Sequence, residues 1–141
     1  MKNITFEKKI NLSNYTTIKV GGFAEYFSKP NNTEEFINLI IWARLNNQKC
    51  RIIGAGSNLL INNIFLKGLT ICTKKMRSIK IESHSGIVVA EAGVMLPTMS
   101  NILAKEGLQG GEWTVGIPGT VGGAICMNAG SKKLSLANNL L

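Results

Sequence analysis

Apolar residues fall in short blocks along the chain, divided by glycine, proline and asparagine. Ile18 to Val20 reads as a short strand stopped by Gly21-Gly22, and Ala24 to Ser28 as a second one ended by Pro30-Asn31-Asn32. A helix follows. Asn32 suits its N-cap and Glu35 stands three residues on, a capping-box arrangement with Asn in place of Ser or Thr. Phe36, Leu39, Ile40 and Ala43 share the i, i+3, i+4, i+7 spacing of one buried face, and Asn46-Asn47 ends the helix. Cys50 to Ile53 is a short buried strand running directly into Gly54-Ala55-Gly56-Ser57-Asn58. Leu69 to Thr73, Ile79 to Ser83 and Ile87 to Glu91 read as three more strands, the second with a solvated face. Pro97 suits the first turn of a second helix and Gly107 its left-handed end, with Leu96, Met99, Ile102 and Leu103 as the apolar face. Strands, helix, strands, helix is an α+β order. It lacks the regular βαβ alternation of a Rossmann fold.

Composition narrows the function classes. At 141 residues there is room for one domain or two small lobes. The net charge is +8 and the pI about 9.6, but Lys, Asn and Ile are abundant throughout, as in an AT-rich gene, and that alone raises pI. The basic residues are scattered (Lys8 and Lys9; Lys74, Lys75 and Arg77; Lys132 and Lys133), with no block of five or six. A basic nucleic-acid tail is therefore not expected. Cys50, Cys72 and Cys126 form no CxxC pair, which argues against a disulfide framework and a zinc site. The single histidine, His84, lies in a polar turn. The N-terminus lacks the apolar core of a signal peptide, and the longest apolar stretch, Phe36 to Ala43, is too short to span a bilayer. A soluble cytoplasmic chain is expected, without membrane or nucleic-acid partners, and as a monomer.

Two glycine-rich segments carry the candidate chemistry. In Gly54-Ala55-Gly56-Ser57-Asn58-Leu59 a buried strand delivers the chain into a turn stripped of side-chain bulk. Successive N–H groups there can converge on an anion such as a pyrophosphate, and Ser57 and Asn58 can add donors; a plain tight turn is the competing reading. Gly116-Ile117-Pro118-Gly119-Thr120-Val121-Gly122-Gly123-Ala124, leading to Asn128-Ala129-Gly130, excludes bulk over a longer stretch stiffened by Pro118. Backbone approaching a large flat ligand and close helix packing explain it equally. Thr120 and Asn128 are the polar groups there that could face a ligand. The P-loop, the dinucleotide fingerprint, the Gly-x-Ser-x-Gly elbow and metal-ligand clusters are absent, and Glu91 and Glu106 are too isolated to serve as an acid–base pair.

Three ordered segments resemble one family, the UDP-N-acetylenolpyruvoylglucosamine reductases. Asn14-Tyr15-Thr16-Thr17 with Val20-Gly21-Gly22 and Ala24-Glu25-Tyr26 is similar to their opening. Gly54 to Leu60 is similar to their FAD pyrophosphate loop, and Gly116 to Ala124 with Met127-Asn128-Ala129-Gly130 to their most distinctive segment. The resemblance runs from about Leu12 to Gly130 and implies an FAD-binding fold of the vanillyl-alcohol-oxidase type. Its two α+β lobes, here about residues 12–73 and the incomplete 74–141, would hold the flavin. Gly54, Ala55, Gly56, Ser57, Asn58 and Leu59 would wrap the pyrophosphate. Gly116, Ile117, Pro118, Gly119, Thr120, Gly122, Gly123 and Ala124 would run along the ribityl and isoalloxazine portion. The implied reaction uses NADPH to reduce FAD, and reduced FAD to reduce UDP-N-acetylglucosamine enolpyruvate to UDP-N-acetylmuramate, a peptidoglycan precursor.

The family's proton-donating serine and its arginine and glutamate lie in a downstream substrate domain. No catalytic residue is carried over to this chain. The tail, Ser131 to Leu141, departs from the family's usual aromatic-glycine turn and acidic residue. It reads as a frameshift, an early stop, a decayed gene or real divergence. The expectation is a front half able to bind FAD; a non-catalytic flavin-binding remnant is the alternative. A covalent-flavin oxidase ranks lower, because His84 is remote in sequence from both glycine segments.

Overall fold

The computed structural model describes residues 4–131 and 133–141. Met1 to Asn3 and Lys132, which belong to the N-terminus, the basic scatter and the tail considered above, lie outside them. The chain divides into two compact units, Met1–Met76 and Arg77–Leu141.

The first unit is a four-stranded sheet in the order β1-β2-β4-β3. These strands are Glu7–Asn11, Phe23–Ser28, Phe65–Cys72 and Cys50–Ile53 respectively. β1 is antiparallel to β2, while β2 and β3 both run parallel to the intervening β4. Parallel neighbours need crossovers. The first, from β2 to β3, is α1 (Thr33–Leu45). Leu39 and Ala43 on this helix pack with Leu69 and Ile71 of β4, and Phe6, Tyr26, Phe36 and Trp42 close over them. The second crossover, residues 54–64 from β3 to β4, contains no helix and begins with the first glycine segment. Its Ile61 packs on the opposite sheet face against Leu12, Ala24, Phe27, Ile53 and Cys72.

Capping is as the pattern requires at one atom and different at another. The Glu35 N–H donates to Asn32 Oδ1 at 2.9 Å. The Glu35 carboxylate reaches past the cap and accepts from the N–H and side-chain amide of Asn31, at 2.8 and 2.9 Å. Those bonds favour the charged form and hold its pKa below the ordinary carboxylate value.

Three strand expectations change. Ile18 to Val20 is a loop. Its Lys19 lies in the left-handed region at φ 57° and donates its N–H back to Thr16 O, while the Thr16 hydroxyl donates to Val20 O at 2.9 Å. Lys-rich β1, with no alternation of apolar residues, forms an edge paired to β2 alone. β4 starts at Phe65 rather than Leu69, because the apolar run is interrupted by a bulge: Lys67 and Gly68 together oppose Glu25. Gly68 sits at φ 91°, a Cβ there would overlap the Lys49 carbonyl, and its N–H donates to Glu25 Oε2 at 2.7 Å.

The second unit holds the antiparallel pair β5 (Ile79–Glu82) and β6 (Ile87–Ala90). Helices α2 (Leu96–Lys105) and α3 (Val121–Cys126) follow. A short pair, β7 (Gly130–Ser131) with β8 (Leu134–Ser135), comes last. Its core gathers Val94, Leu96, Val121, Ala124 and Leu136. α2 has Pro97 in its first turn and Gly107 at φ 70° beyond its end, as the pattern predicts.

Candidate functional site

The first glycine segment leaves the C-terminal end of β3, alongside the C-terminal ends of the parallel strands β2 and β4. Open α/β sheets bind ligands at such ends. Two of the segment's carbonyls, those of Gly54 and Gly56, turn toward the protein. Gly54 O receives the Cys72 thiol at 3.9 Å. Gly56 O receives the Thr17 N–H at 3.2 Å and the Thr17 hydroxyl at 3.4 Å. Gly56 adopts φ 73°, and a Cβ on it would overlap the Tyr15 carbonyl. The backbone N–H groups of residues 54–59 meet no acceptor among the described residues, nor do the side chains of Ser57 and Asn58. Two anchored carbonyls and a run of free N–H groups give the polarity of an anion cradle. The surrounding sequence has matching charge: from Phe36 to Ile81 there are eight Lys and Arg and no Asp or Glu.

Sequence reading named Asn14 to Thr17 only as part of a motif. In the structure this turn buttresses the loop, since Thr17 and Tyr15 fix where Gly56 lies. Burial keeps the neighbouring Cys72 thiol protonated, with its pKa raised, so it offers no nucleophile.

The second glycine segment divides by role. Leu96 N–H donates to Gly119 O, Val121 N–H to Val94 O and Gly122 N–H to Ala92 O, so residues 119–122 zip along residues 92–96. Gly119 needs its φ of 133°, and a Cβ on Gly122 would stand 2.7 Å from that of Ala92. Ile117, Val121 and Ala124 belong to the core. Thr120 is 1% exposed and its hydroxyl accepts the Gly123 N–H, capping α3. Asn128 Oδ1 accepts the Ala137 N–H at 3.1 Å. Both side chains expected as candidates to face a ligand hold local structure through their oxygens. Gly116 and Pro118 are exposed. A Cβ on Gly116 would meet nothing within 4 Å, and one on Gly123 only the Thr120 hydroxyl at 3.4 Å. Close packing therefore accounts for Gly122, and leaves Gly116 and Gly123 unaccounted for.

No group of three or more metal-ligating side chains occurs among the described residues, and no helix there is long and apolar enough to cross a membrane.

A strand that runs into a free-N–H glycine loop, within an α+β unit, defines a class when set beside known proteins. Residues 24–140 match the FAD binding domain family, and the chain belongs to it. Over all 141 residues it is 93% identical to the UDP-N-acetylenolpyruvoylglucosamine reductase of Prochlorococcus marinus subsp. pastoris (strain CCMP1986 / NIES-2087 / MED4), covering 48% of that protein. Over 140 residues it is 46% identical to the reductase of the same name from P. marinus strain NATL2A, again covering 48%. The crystal structure of the UDP-N-acetylenolpyruvylglucosamine reductase from Thermus caldophilus superposes with a TM-score of 0.73 at 30% identity, over 96% of this chain and 46% of that one. The chain spans about half the length of the curated relatives it matches. The fold is the α+β FAD-binding fold. One expectation is corrected: the tail after Gly130 lies inside the family match and inside the 93% alignment, so it is not foreign to the family.

Proposed function

We propose that this chain binds FAD as the flavin domain of a UDP-N-acetylenolpyruvoylglucosamine reductase. The observation that carries the reading is the run of unengaged N–H groups from Gly54 to Leu59 at the C-terminal end of β3, in a chain of the FAD-binding family. Gly54, Ala55, Gly56, Ser57, Asn58 and Leu59 hold the pyrophosphate through backbone N–H groups, with the Ser57 hydroxyl and Asn58 amide as further donors. Gly116 to Ala124 lies along the ribityl and isoalloxazine portion, with Gly116 and Gly123 giving the flavin the space a methyl would fill. Thr120 contributes by fixing the start of α3, where its hydroxyl oxygen accepts the Gly123 N–H.

When bound, FAD supplies hydride chemistry. In the whole protein the donor is NADPH and the acceptor is the enolpyruvyl double bond of UDP-N-acetylglucosamine enolpyruvate, in the cytoplasm. The chain's own residues bind and orient the cofactor. The proton donor belongs to the part of the relatives outside this chain's span, so binding is proposed for this chain and turnover for the whole protein.

Titration of the purified chain with FAD, read by flavin fluorescence and visible absorbance, tests this. Saturable binding is expected, weakened at least about tenfold by Gly54→Asp, which sets a carboxylate against the pyrophosphate. A folded, soluble chain that shows no saturation up to high micromolar FAD refutes the assignment.

A further inference from the structure

On the sheet face opposite α1, next to the glycine loop, lies a groove of about 310 Å³ walled by Leu12, Ile53, Ile61 and Leu66. Two features there serve no purpose in the ligand-free fold. Leu60 stands at the rim with 79% of its surface exposed, although the groove below it is apolar. Thr70, also lining the groove, is 1% exposed, and its hydroxyl is buried without a hydrogen-bond partner. A buried, unpaired hydroxyl is unfavourable, and so is a leucine held in water beside an apolar hollow. One movement relieves both.

We propose that residues 57–62 form a lid that closes over this groove when the glycine loop takes its anion. Leu60 then enters the groove, and a loop carbonyl comes within reach of the Thr70 hydroxyl, which latches it. The proposal rests on reading residues 54–59 as the pyrophosphate loop. The coupling follows from peptide geometry: the N–H and the preceding C=O of a planar trans unit point in opposite directions. N–H groups of Asn58 and Leu59 turned outward onto an anion send the carbonyls of Ser57 and Asn58 inward, toward β4. Thr70 makes no contact with the cofactor; it is a positioning residue.

Thr70→Val and Thr70→Ser test the latch, with FAD as the probe. Valine keeps the shape and removes the hydroxyl. It should raise the thermal midpoint of the ligand-free chain by about 3 °C, because an unpaired group is gone. It should also weaken FAD binding roughly fivefold, because the latch is gone. Serine should keep FAD affinity within about twofold of the native value. In the native chain, FAD should slow amide hydrogen exchange at Leu60 to Asn62 about tenfold or more. A Thr70→Val chain with a lowered midpoint shows that the hydroxyl is already bonded without ligand, and overturns the latch. FAD bound with unchanged exchange at residues 60–62 overturns the lid and leaves the cofactor assignment standing. Absence of FAD binding by the native chain removes the cofactor assignment, and the lid falls with its trigger.

Discussion

Glu35 shows how one side chain ties local order to pH. It gains two bonds from Asn31 that exist only when the turn before α1 is folded. Its folded pKa is depressed, so the stability it adds is present above the ordinary value of 4.5 and is lost as pH falls through the folded value. Glu35→Gln should therefore lower stability slightly at pH 7, flatten part of the decline on acidification below about pH 4.5, and converge with the native chain once the carboxyl is protonated. Urea unfolding at pH 3, 4, 5 and 7 reads this; an unchanged acid limb would show that other carboxylates set it.

Glycines separate at the same scale. Gly56 is fixed by its φ of 73° and by the Tyr15 carbonyl, so Gly56→Ala should destabilise the chain by at least about 2 kcal/mol with or without FAD. A Cβ on Gly123 would meet only the Thr120 hydroxyl, at 3.4 Å, inside a helix, where alanine is worth about 0.5–1 kcal/mol more. Gly123→Ala should raise the stability of the ligand-free chain and lower its affinity for FAD. Denaturant melts beside fluorescence titrations decide the pair. A gain in both quantities for Gly123→Ala would place that glycine away from the flavin.

At the scale of elements, what the sequence makes legible follows the strength of local signals. α1, α2, β3, β5 and β6 carry a periodic face or a tight apolar block with clear punctuation, and they form within a residue or two of expectation. Where tertiary pairing overrides local pattern, reading fails. β1 exists because β2 offers it an edge, since its Lys-rich sequence has little to bury beyond Ile10, which packs on the core. α3 has two glycines in six residues and is held by the Thr120 cap and by Val121 and Ala124 in the core. Both glycine segments are visible as segments. Which glycines serve packing and which stand open is set by Tyr15 and Ala92, distant in sequence, and no local rule supplies that.

For the whole molecule, the two compact units differ in what they bury. Residues 1–76 have an apolar cluster on each face of a four-stranded sheet. Among the described residues, 77–141 have one cluster and two-stranded pairs. A chain of residues 1–76 alone should unfold cooperatively in urea with native-like circular dichroism. Residues 77–141 alone should show a broad or absent transition. The reverse order would mean that cluster and sheet size do not set which unit is stable alone.

The crossover from β3 to β4 is made of the same residues proposed to grip the cofactor. Ordinarily a binding loop can drift once its ligand no longer matters. Here Gly56 would be retained in any descendant that still folds, since losing it breaks a strand connection. Gly116 and Gly123 carry no such obligation. In a lineage released from flavin those two would be free to change first, while Gly56 would persist as part of the fold.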